Sequence, residues 1–272
     1  MPQDSGRGRD AWAVGAAYEP YIGRWSRAVA AEFVGRLGAS PGERWLDVGC
    51  GTGAVSRAAL DGGGAGELVG VDSSEGFVRH ARRLVSAPRA HFVVGDAMAL
   101  PVPEAVAGAV VSGLTLNFVP DPARAVAEMV RAARPGSVVG AYVWDYAEGM
   151  QLIRRFWEAA AALDERAGDL DEGTRFPLCR PGPLRALFSG AGLSAVDVTA
   201  IDVPTRFRDF DDYWTPFLGG QGPAPGYATA LPEDRRARLR ERLRSSLPAA
   251  VDGSIPLTAR AWMVLGRSPV RP

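Results

Sequence analysis

The chain has 272 residues, with 31 basic side chains against 31 acidic ones, and every basic one is arginine because no lysine occurs. A chain of this length buries about 70 to 75% of the surface it exposes when unfolded, so it can build a core without disulfides or metals. At 47% hydrophobic and 23% charged residues it sits near the globular average, which excludes a collagen-like or low-complexity chain, and zero net charge gives no overall attraction to a polyanion or an anionic membrane.

Cys50 and Cys179 lie far apart and form no C-x-x-C pair, so neither a disulfide framework nor a zinc module is implied, and no metal is expected. Residues 1–10 are polar and mixed in charge, unlike a secretory signal, and no run of about 18 apolar residues reads as a membrane span. The expectation is a cytoplasmic protein with no membrane partner.

Strand-like and helix-like segments alternate through residue 146, the pattern of a parallel sheet covered by helices. Strands are predicted at 44–48, 68–71, 91–94, 109–112 and 138–144. A helix after Ser73 and Ser74 buries Phe77, Ala81, Leu84 and Val85 and points Arg79, Arg82 and Arg83 outward. The helix over 122–134 is capped by Asp121, starts on Pro122, carries an apolar stripe of Ala125, Val126, Met129, Val130 and Ala133, and stops at Arg134-Pro135-Gly136.

Beyond the fifth strand the repeat breaks. A helix with Leu152, Ile153, Phe156, Trp157, Ala160 and Leu163 on one side precedes an acidic loop over 164–172. A Pro/Gly-rich turn (177–183), a short helix (184–188) and a strand over 193–203 follow. Residues 207–217 are aromatic and acidic, and 219–226 read as a long loop of the kind that forms a lid or binding element. A helix over 233–247 and a strand over 257–265 close the chain. The organisation expected is one doubly wound α/β domain over 1–272. It comprises a helical cover (1–40), a cofactor-binding core (41–146), cap insertions (147–192 and 204–256) and two last strands (193–203 and 257–266).

The most informative segment is W-L-D-V-G-C-G-T-G-A at 45–54, an apolar strand running into a glycine-spaced turn and then a helix. Such glycines let the backbone take positive φ and let a ligand approach closely, while the helix presents free N–H groups. A cofactor cradle is the natural reading; a dinucleotide fold or a purely structural turn could own the same pattern. The spacing is G-x-G-x-G and not G-x-G-x-x-G, and Asp47 lies where it would repel a pyrophosphate, which favours a cationic or zwitterionic ligand. The next strand ends in G-V-D-S-S, placing Asp72 where a carboxylate accepts both hydroxyls of a ribose. The third ends in V-V-G-D-A-M-A-L-P, which puts Asp96 and the Ala97 and Met98 backbone at the same sheet edge.

Together with V-S-G-L-T-L-N-F-V and A-R-P-G-S, these segments resemble the class I S-adenosylmethionine-dependent methyltransferases, in the small-molecule branch that includes the ubiquinone and menaquinone biosynthesis enzymes. The resemblance covers residues 15 to 146. It implies a Rossmann-like seven-stranded sheet whose last strand is antiparallel beside the sixth, with insertions after strands five and six. It also implies that Asp47, Gly49, Cys50, Gly51 and Gly53 line the methionine and ribose part of S-adenosylmethionine. Asp72 with Ser73 would bind the ribose, Asp96 the adenine amino group, and Ala97 and Met98 the adenine ring. Ser112 and Gly113 would lie near the sulfonium. Tyr18, Tyr21 and Arg24, in the helix before the first strand, are candidates for covering the methionine carboxylate, with packing and surface charge as the competing reading.

Methyl transfer from a sulfonium is an in-line displacement in which alignment supplies about 7 to 11 kcal/mol, and a general base is needed only for a carbon acid or a neutral hydroxyl. The two histidines, His80 and His91, are badly placed for that role. Asn117, Asp145 and Tyr146 fall at the ligand-binding edge of an open α/β sheet, where capping or loop bonding competes with substrate binding. Trp144, Tyr213 and Trp214 either wall an apolar pocket or form the cap's core. Arg235, Arg236, Arg238, Arg240, Arg242 and Arg244 surround Leu239, Leu243 and Leu247, the geometry of a solvated helix with one buried stripe and not of a nucleic-acid site. No Asn/Asp-Pro-Pro-aromatic segment or Pro-Cys pair is present, as base methylation would require by comparison with nucleic-acid methyltransferases.

The leading reading is therefore a small-molecule methyltransferase that converts S-adenosylmethionine to S-adenosylhomocysteine, with the acceptor atom open. An S-adenosylmethionine-binding cyclisation or rearrangement enzyme is the alternative. An NAD(P)-dependent oxidoreductase is disfavoured by the glycine spacing and by Asp47.

Overall fold

The computed structural model describes residues 19–219 and 222–270. Seven strands form one sheet in the order β3-β2-β1-β4-β5-β7-β6. They are β1 (Arg44–Val48), β2 (Glu67–Asp72), β3 (Ala90–Val94), β4 (Ala107–Gly113), β5 (Ala133–Trp144), β6 (Ser194–Phe207) and β7 (Ile255–Arg267). The helices in chain order are α1 (Arg24–Arg36), α2 (Ala54–Asp61), α3 (Glu75–Leu84), α4 (Pro122–Ala132), α5 (Gln151–Ala161), α6 (Glu172–Arg175), α7 (Pro181–Gly190), α8 (Phe210–Trp214), α9 (Pro223–Ala230) and α10 (Glu233–Ser246).

The first five strands pair in parallel, with Leu46 level with Val69 on one side and Val110 on the other. The last strand is antiparallel: the Gly136 amide donates to Ser268 O at 3.2 Å and the Ser268 amide to Ser137 O at 2.9 Å. β1, β4 and β5 are covered on both faces, which is why they read as nearly continuous apolar runs. Gly140 lets α1 and the residue after it lie close to β5, since a Cβ there would sit 3.2 Å from Phe33 of α1 and 2.9 Å from Leu37, besides 2.6 Å from Leu265 of β7.

The chain packs as two compact units. A sheet unit holds residues 26–143, 178–201 and the described part of 261–272; a helical unit holds the described part of 1–25 with 144–177 and 202–260. The helical unit is built on stacked and edge-on rings. Phe156 stacks on Phe217 with centroids 4.5 Å apart, Tyr21 meets Phe217 at 5.4 Å, Trp157 meets Tyr227 at 5.6 Å and Phe207 meets Tyr213 at 5.3 Å. Such pairs add about 0.5–1.5 kcal/mol each beyond their buried area.

Several expectations are corrected. The helix predicted over 122–134 ends at Ala132, and Ala133 already opens β5. Pro135 lacks an amide and disfavours helical Arg134, while β7 supplies ladder partners. The buried stripe of α3 is Val78 and Ala81, with Val85 at its cap; Leu84 is exposed, and Arg82 folds back to donate to Phe92 O at 2.6 Å. The acidic segment 164–172 is helical: Asp164 caps a 3-10 helix (Glu165–Leu170) and Asp171 caps α6. The strand over 193–203 continues to Phe207. The long loop over 219–226 is interrupted by α9, which starts on Pro223.

Candidate cofactor site

Three chain segments meet at the carboxyl ends of β1, β2 and β4 in the sheet unit. After β1 the backbone turns through Gly49, Gly51 and Gly53, all at positive φ (72°, 51° and 89°). Gly49 is obligatory for space as well as conformation, because a Cβ on it would lie 2.2 Å from Thr115 Cγ2. Gly51 has nothing within 4 Å of where a Cβ would point, so the turn is open there. The turn is held from below: the Gly49 and Cys50 amides donate to Val71 O at 2.7 and 3.0 Å, and Thr115 Oγ1 donates to Gly49 O and Gly113 O, both at 3.0 Å. Leu114, at φ 57°, is a non-glycine residue in the left-handed region beside this junction.

Asp47 is fully buried, and burial, opposed by Ser56 and reinforced by Asp72, pushes its carboxyl up to about 7. Ser56 Oγ donates to its Oδ2 at 2.6 Å, while Oδ1 is buried without a hydrogen-bond partner. Asp72, also raised by burial, accepts the Gly51 amide on Oδ2 at 2.9 Å and the Ser74 amide on Oδ1 at 2.8 Å. Each oxygen keeps a further acceptor site, since an ionised carboxylate offers about four. Cys50 is buried and its thiol is raised by burial and the two carboxylates, so it is a packing residue and not a thiolate nucleophile.

The loop after β3 is ordered by Asp96, whose Oδ1 accepts the Met98 amide at 2.8 Å and whose carbonyl accepts the Ala99 amide at 3.1 Å. Ala97 and Met98 are half-buried and Ser73 is exposed. Ser112 is fully buried and its hydroxyl donates to Val48 O at 2.8 Å, tying β4 to β1. Gly113 makes room for Tyr142, whose hydroxyl would be 2.7 Å from a Cβ. Asn117 lies on a 3-10 turn (Leu116–Phe118) after β4, and its Nδ2 is buried without a partner.

The other sequence candidates belong to the helical unit, apart from Tyr18, which falls outside the described residues. Tyr21 is buried, and its phenol is raised well above its ordinary value by burial and then by Glu172. Arg24 donates from Nη1 to Asp212 Oδ1 at 3.0 Å and lies over the rings of Trp25 (4.4 Å) and Phe207 (4.7 Å), while its Nε and Nη2 are buried without partners. Asp145 is buried and organises a turn, its Oδ1 accepting the Glu148 amide at 3.1 Å. Trp144 and Tyr146 are buried, the latter against Phe176 at 5.6 Å. Tyr213 donates its hydroxyl to Leu152 O at 3.0 Å, and Trp214 packs near Phe217 at 6.2 Å.

Sequence reasoning missed Ser56, Thr115 and Glu172. Ser56 interrupts the apolar stripe of α2, a signal that was available. Glu172 was hidden in an acidic run; it is buried, bonded by Trp157 Nε1, and burial pushes its carboxyl up to about 7.

A parallel sheet with an antiparallel last strand, carrying a glycine turn bonded to a carboxylate at the carboxyl ends of β1 and β2, is an open α/β architecture of the kind that binds ligands at that edge. Residues 46–140 match the methyltransferase domain family. The chain is 39% identical over 113 residues to a demethylmenaquinone methyltransferase of Renibacterium salmoninarum, covering 42% of this chain and 44% of that protein. It is 32% identical over 133 residues to a malonyl-[acyl-carrier protein] O-methyltransferase of Serratia marcescens, covering 47% and 51%. In three dimensions it resembles Haemonchus contortus phosphoethanolamine N-methyltransferase 2 in complex with S-adenosyl-L-methionine, at TM-score 0.58 and 17% identity over 93% of this chain and 56% of that one. Residues 46–140 are thus similar to a methyltransferase domain, and the solved structures share the fold. The chain spans about half the length of these two relatives.

Proposed function

We propose that this protein transfers a methyl group from S-adenosylmethionine to a small-molecule acceptor. The observation that carries the reading is the paired-carboxylate turn: a buried Asp47 with an unpartnered oxygen and an Asp72 with acceptor capacity left, flanking the open glycine backbone at Gly51. A zwitterionic sulfonium nucleoside fits this donor set, and a pyrophosphate does not. When bound, the cofactor supplies an electrophilic methyl group on a cationic sulfur.

In this reading Asp47 and the backbone at Gly49, Cys50, Gly51 and Gly53 line the methionine and ribose part. Asp72 with Ser73 accepts from the ribose, Asp96, Ala97 and Met98 hold the adenine, and Ser112 and Gly113 border the reacting sulfur. The helical unit, which the matched family does not cover, would recognise the acceptor. Asn117, with its unpartnered amide, is the sheet unit's best-supported contact to it. The relatives named above are a demethylmenaquinone methyltransferase and a malonyl-[acyl-carrier protein] O-methyltransferase; the first supports a small acceptor, and the two together leave the atom open. Among the described residues no helix is long and apolar enough to cross a membrane, and a cytoplasmic site of action is part of the proposal.

Calorimetric titration with S-adenosylmethionine, S-adenosylhomocysteine, NAD and NADP tests the cofactor, and product mass tests the transfer, since a gain of one methyl group separates it from a rearrangement. Asp72→Ala is expected to weaken S-adenosylhomocysteine binding by about 2 to 4 kcal/mol, through the loss of two charge-assisted bonds. An unchanged dissociation constant would refute the ribose role.

A further inference from the structure

The loop that follows β3 is fixed from the side by helix α4, through side chains outside the proposed cofactor contacts. Glu128 Oε2 accepts the Leu100 amide at 2.8 Å. Arg131 grips the same carboxylate with two nitrogens, at 2.7 Å from Nε and 2.8 Å from Nη2. It then donates onward from Nη2 to Leu100 O at 3.1 Å and from Nη1 to Val102 O at 3.0 Å. About two turns before Arg131, Arg124 Nε donates to Met98 O at 2.8 Å. Four backbone groups between Met98 and Val102 are thus bonded by three side chains of one helix.

This is more than a surface ion pair. Glu128 and Arg131 are only 21% and 32% exposed at the side chain, and the pairing is side-on and bidentate, the geometry in which such pairs hold position. The pair holds the Glu128 carboxyl below and the Arg131 guanidinium above their ordinary values, each mainly through its hydrogen bonds to the other, so both stay charged across the working range. An arginine is required here because its planar fork reaches the carboxylate and two carbonyls at once, which a lysine ammonium on a flexible stem does not reproduce.

We propose that Glu128 and Arg131, aided by Arg124, are positioning residues for adenine recognition: they hold the 96–102 loop so that Asp96, Ala97 and Met98 present a preformed edge to the base. The inference rests on the cofactor reading above and adds to it residues that act through the loop. Its physical basis is preorganisation. A loop anchored at Met98, Leu100 and Val102 has little ordering left to lose on binding, whereas a loop cut from α4 must be ordered by the ligand at the expense of affinity.

The test uses the full chain and compares wild type with Glu128→Gln, Arg131→Lys, Arg131→Met and the charge-swapped double variant Glu128→Arg/Arg131→Glu. Dissociation constants are measured for S-adenosylhomocysteine and for adenosine, together with the melting temperature of the ligand-free protein and hydrogen exchange at the Met98 and Leu100 amides. Arg131→Met is expected to weaken both ligands by the same factor, at least tenfold, and to speed exchange at those two amides. Arg131→Lys should rescue little. The swapped pair restores opposite charges yet turns a carboxylate toward the Leu100 and Val102 carbonyls, so it should also fail to bind tightly. Equal affinities in wild type and Arg131→Met would overturn the proposal. So would rescue by the swapped pair, a loss confined to S-adenosylhomocysteine with adenosine unaffected, or a loss that tracks the melting temperature without local exchange. Failure of wild type to bind S-adenosylhomocysteine at all would instead remove the cofactor reading, and the positioning role with it.

Discussion

Each unit of this protein buries one carboxyl group that burial pushes up to about 7, and the two could hardly be set more differently. Asp47, in the sheet unit, stands beside a second carboxylate, accepts one hydroxyl from Ser56 and leaves an oxygen unpartnered next to an open glycine turn. Glu172, in the helical unit, accepts from Trp157 among packed aromatic rings. The same desolvation cost is met in one case by an incomplete polar shell, and in the other by an indole donor inside a core. A raised carboxyl is therefore not in itself a sign of a ligand site; the unfilled acceptor beside open backbone is what distinguishes Asp47.

The hardest blow to the sheet-unit side of this comparison is Gly49→Ala. The left-handed backbone and the 2.2 Å overlap with Thr115 act together, and the overlap is with a side chain tied by two hydrogen bonds. We expect a loss of about 3 to 5 kcal/mol in urea unfolding, at the upper end for a single substitution. Gly51→Ala sharpens the point: it faces open space at φ 51°, so it should cost only about 1 to 2 kcal/mol of stability while obstructing ligand binding.

Glu172→Gln probes the helical-unit side. The carboxyl titrates near its ordinary 4.5 in the unfolded chain and at about 7 in the folded one, so the folded state holds the proton more tightly. Its contribution to stability is complete below pH 4.5, declines as pH rises through 7 and is lost above, a swing of about 3 kcal/mol. Glutamine keeps an acceptor for Trp157 and cannot ionise, so the variant should gain on wild type by up to that amount between pH 4.5 and pH 8. Parallel stability curves for the two proteins would show that Glu172 does not titrate in this window.

The sheet unit was the legible half. β1 was placed to the residue, Asp121 capped α4 as expected, and the glycine turn, Asp72 and Asp96 converge at one sheet edge, because each is a local device whose residue types are dictated by backbone geometry. The helical unit has caps as well, at Asp164, Asp171 and Asp209, but they stand in acidic runs that conceal them. Its aromatic residues meet through contacts far apart in sequence, such as Tyr21 with Phe217, which period and composition do not encode. The 164–172 segment shows the same limit: Asp164 and Asp171 are helix caps, Glu172 is buried, and in the sequence all three read as acids of one loop. Helix α4 ends short of Arg134 because Pro135 disfavours its continuation and Ala133 pairs with Ala107 of β4, a partner the local pattern does not name.

A subtler contrast comes from protons taken up or released on binding. A cation placed against Asp47 favours its ionised form, so S-adenosylmethionine binding at pH 7 should release about half a proton, measured by calorimetry in buffers of different ionisation enthalpy. Asp47→Asn should abolish the release and Glu172→Gln should leave it intact. Release that survives Asp47→Asn would transfer the coupling to another group and erase the distinction between the two carboxyls.

The smallest effect is expected on α10, where the arginine-rich sequence most invites overinterpretation. Leu239 and Leu243 are buried on one side, while Arg238 pairs with Asp234 at 3.3 Å with both side chains about two-thirds exposed or more. Arg240 reaches Asp211 at 2.9 Å, and Arg236 pairs with Glu233, so much of the positive charge is already answered by the protein's own acids. Exposed pairs of this kind contribute about 0 to 1 kcal/mol and are screened by salt. Arg238→Ala should therefore shift stability by no more than about 0.5 kcal/mol and leave cofactor affinity unchanged, whereas Leu243→Ala, which opens a cavity under the same helix, should cost about 2 to 5 kcal/mol. If Arg238→Ala instead weakened a salt-sensitive association with a single-stranded oligonucleotide, the helix would be a binding face, and the assignment of the arginines to a solvated surface would fall.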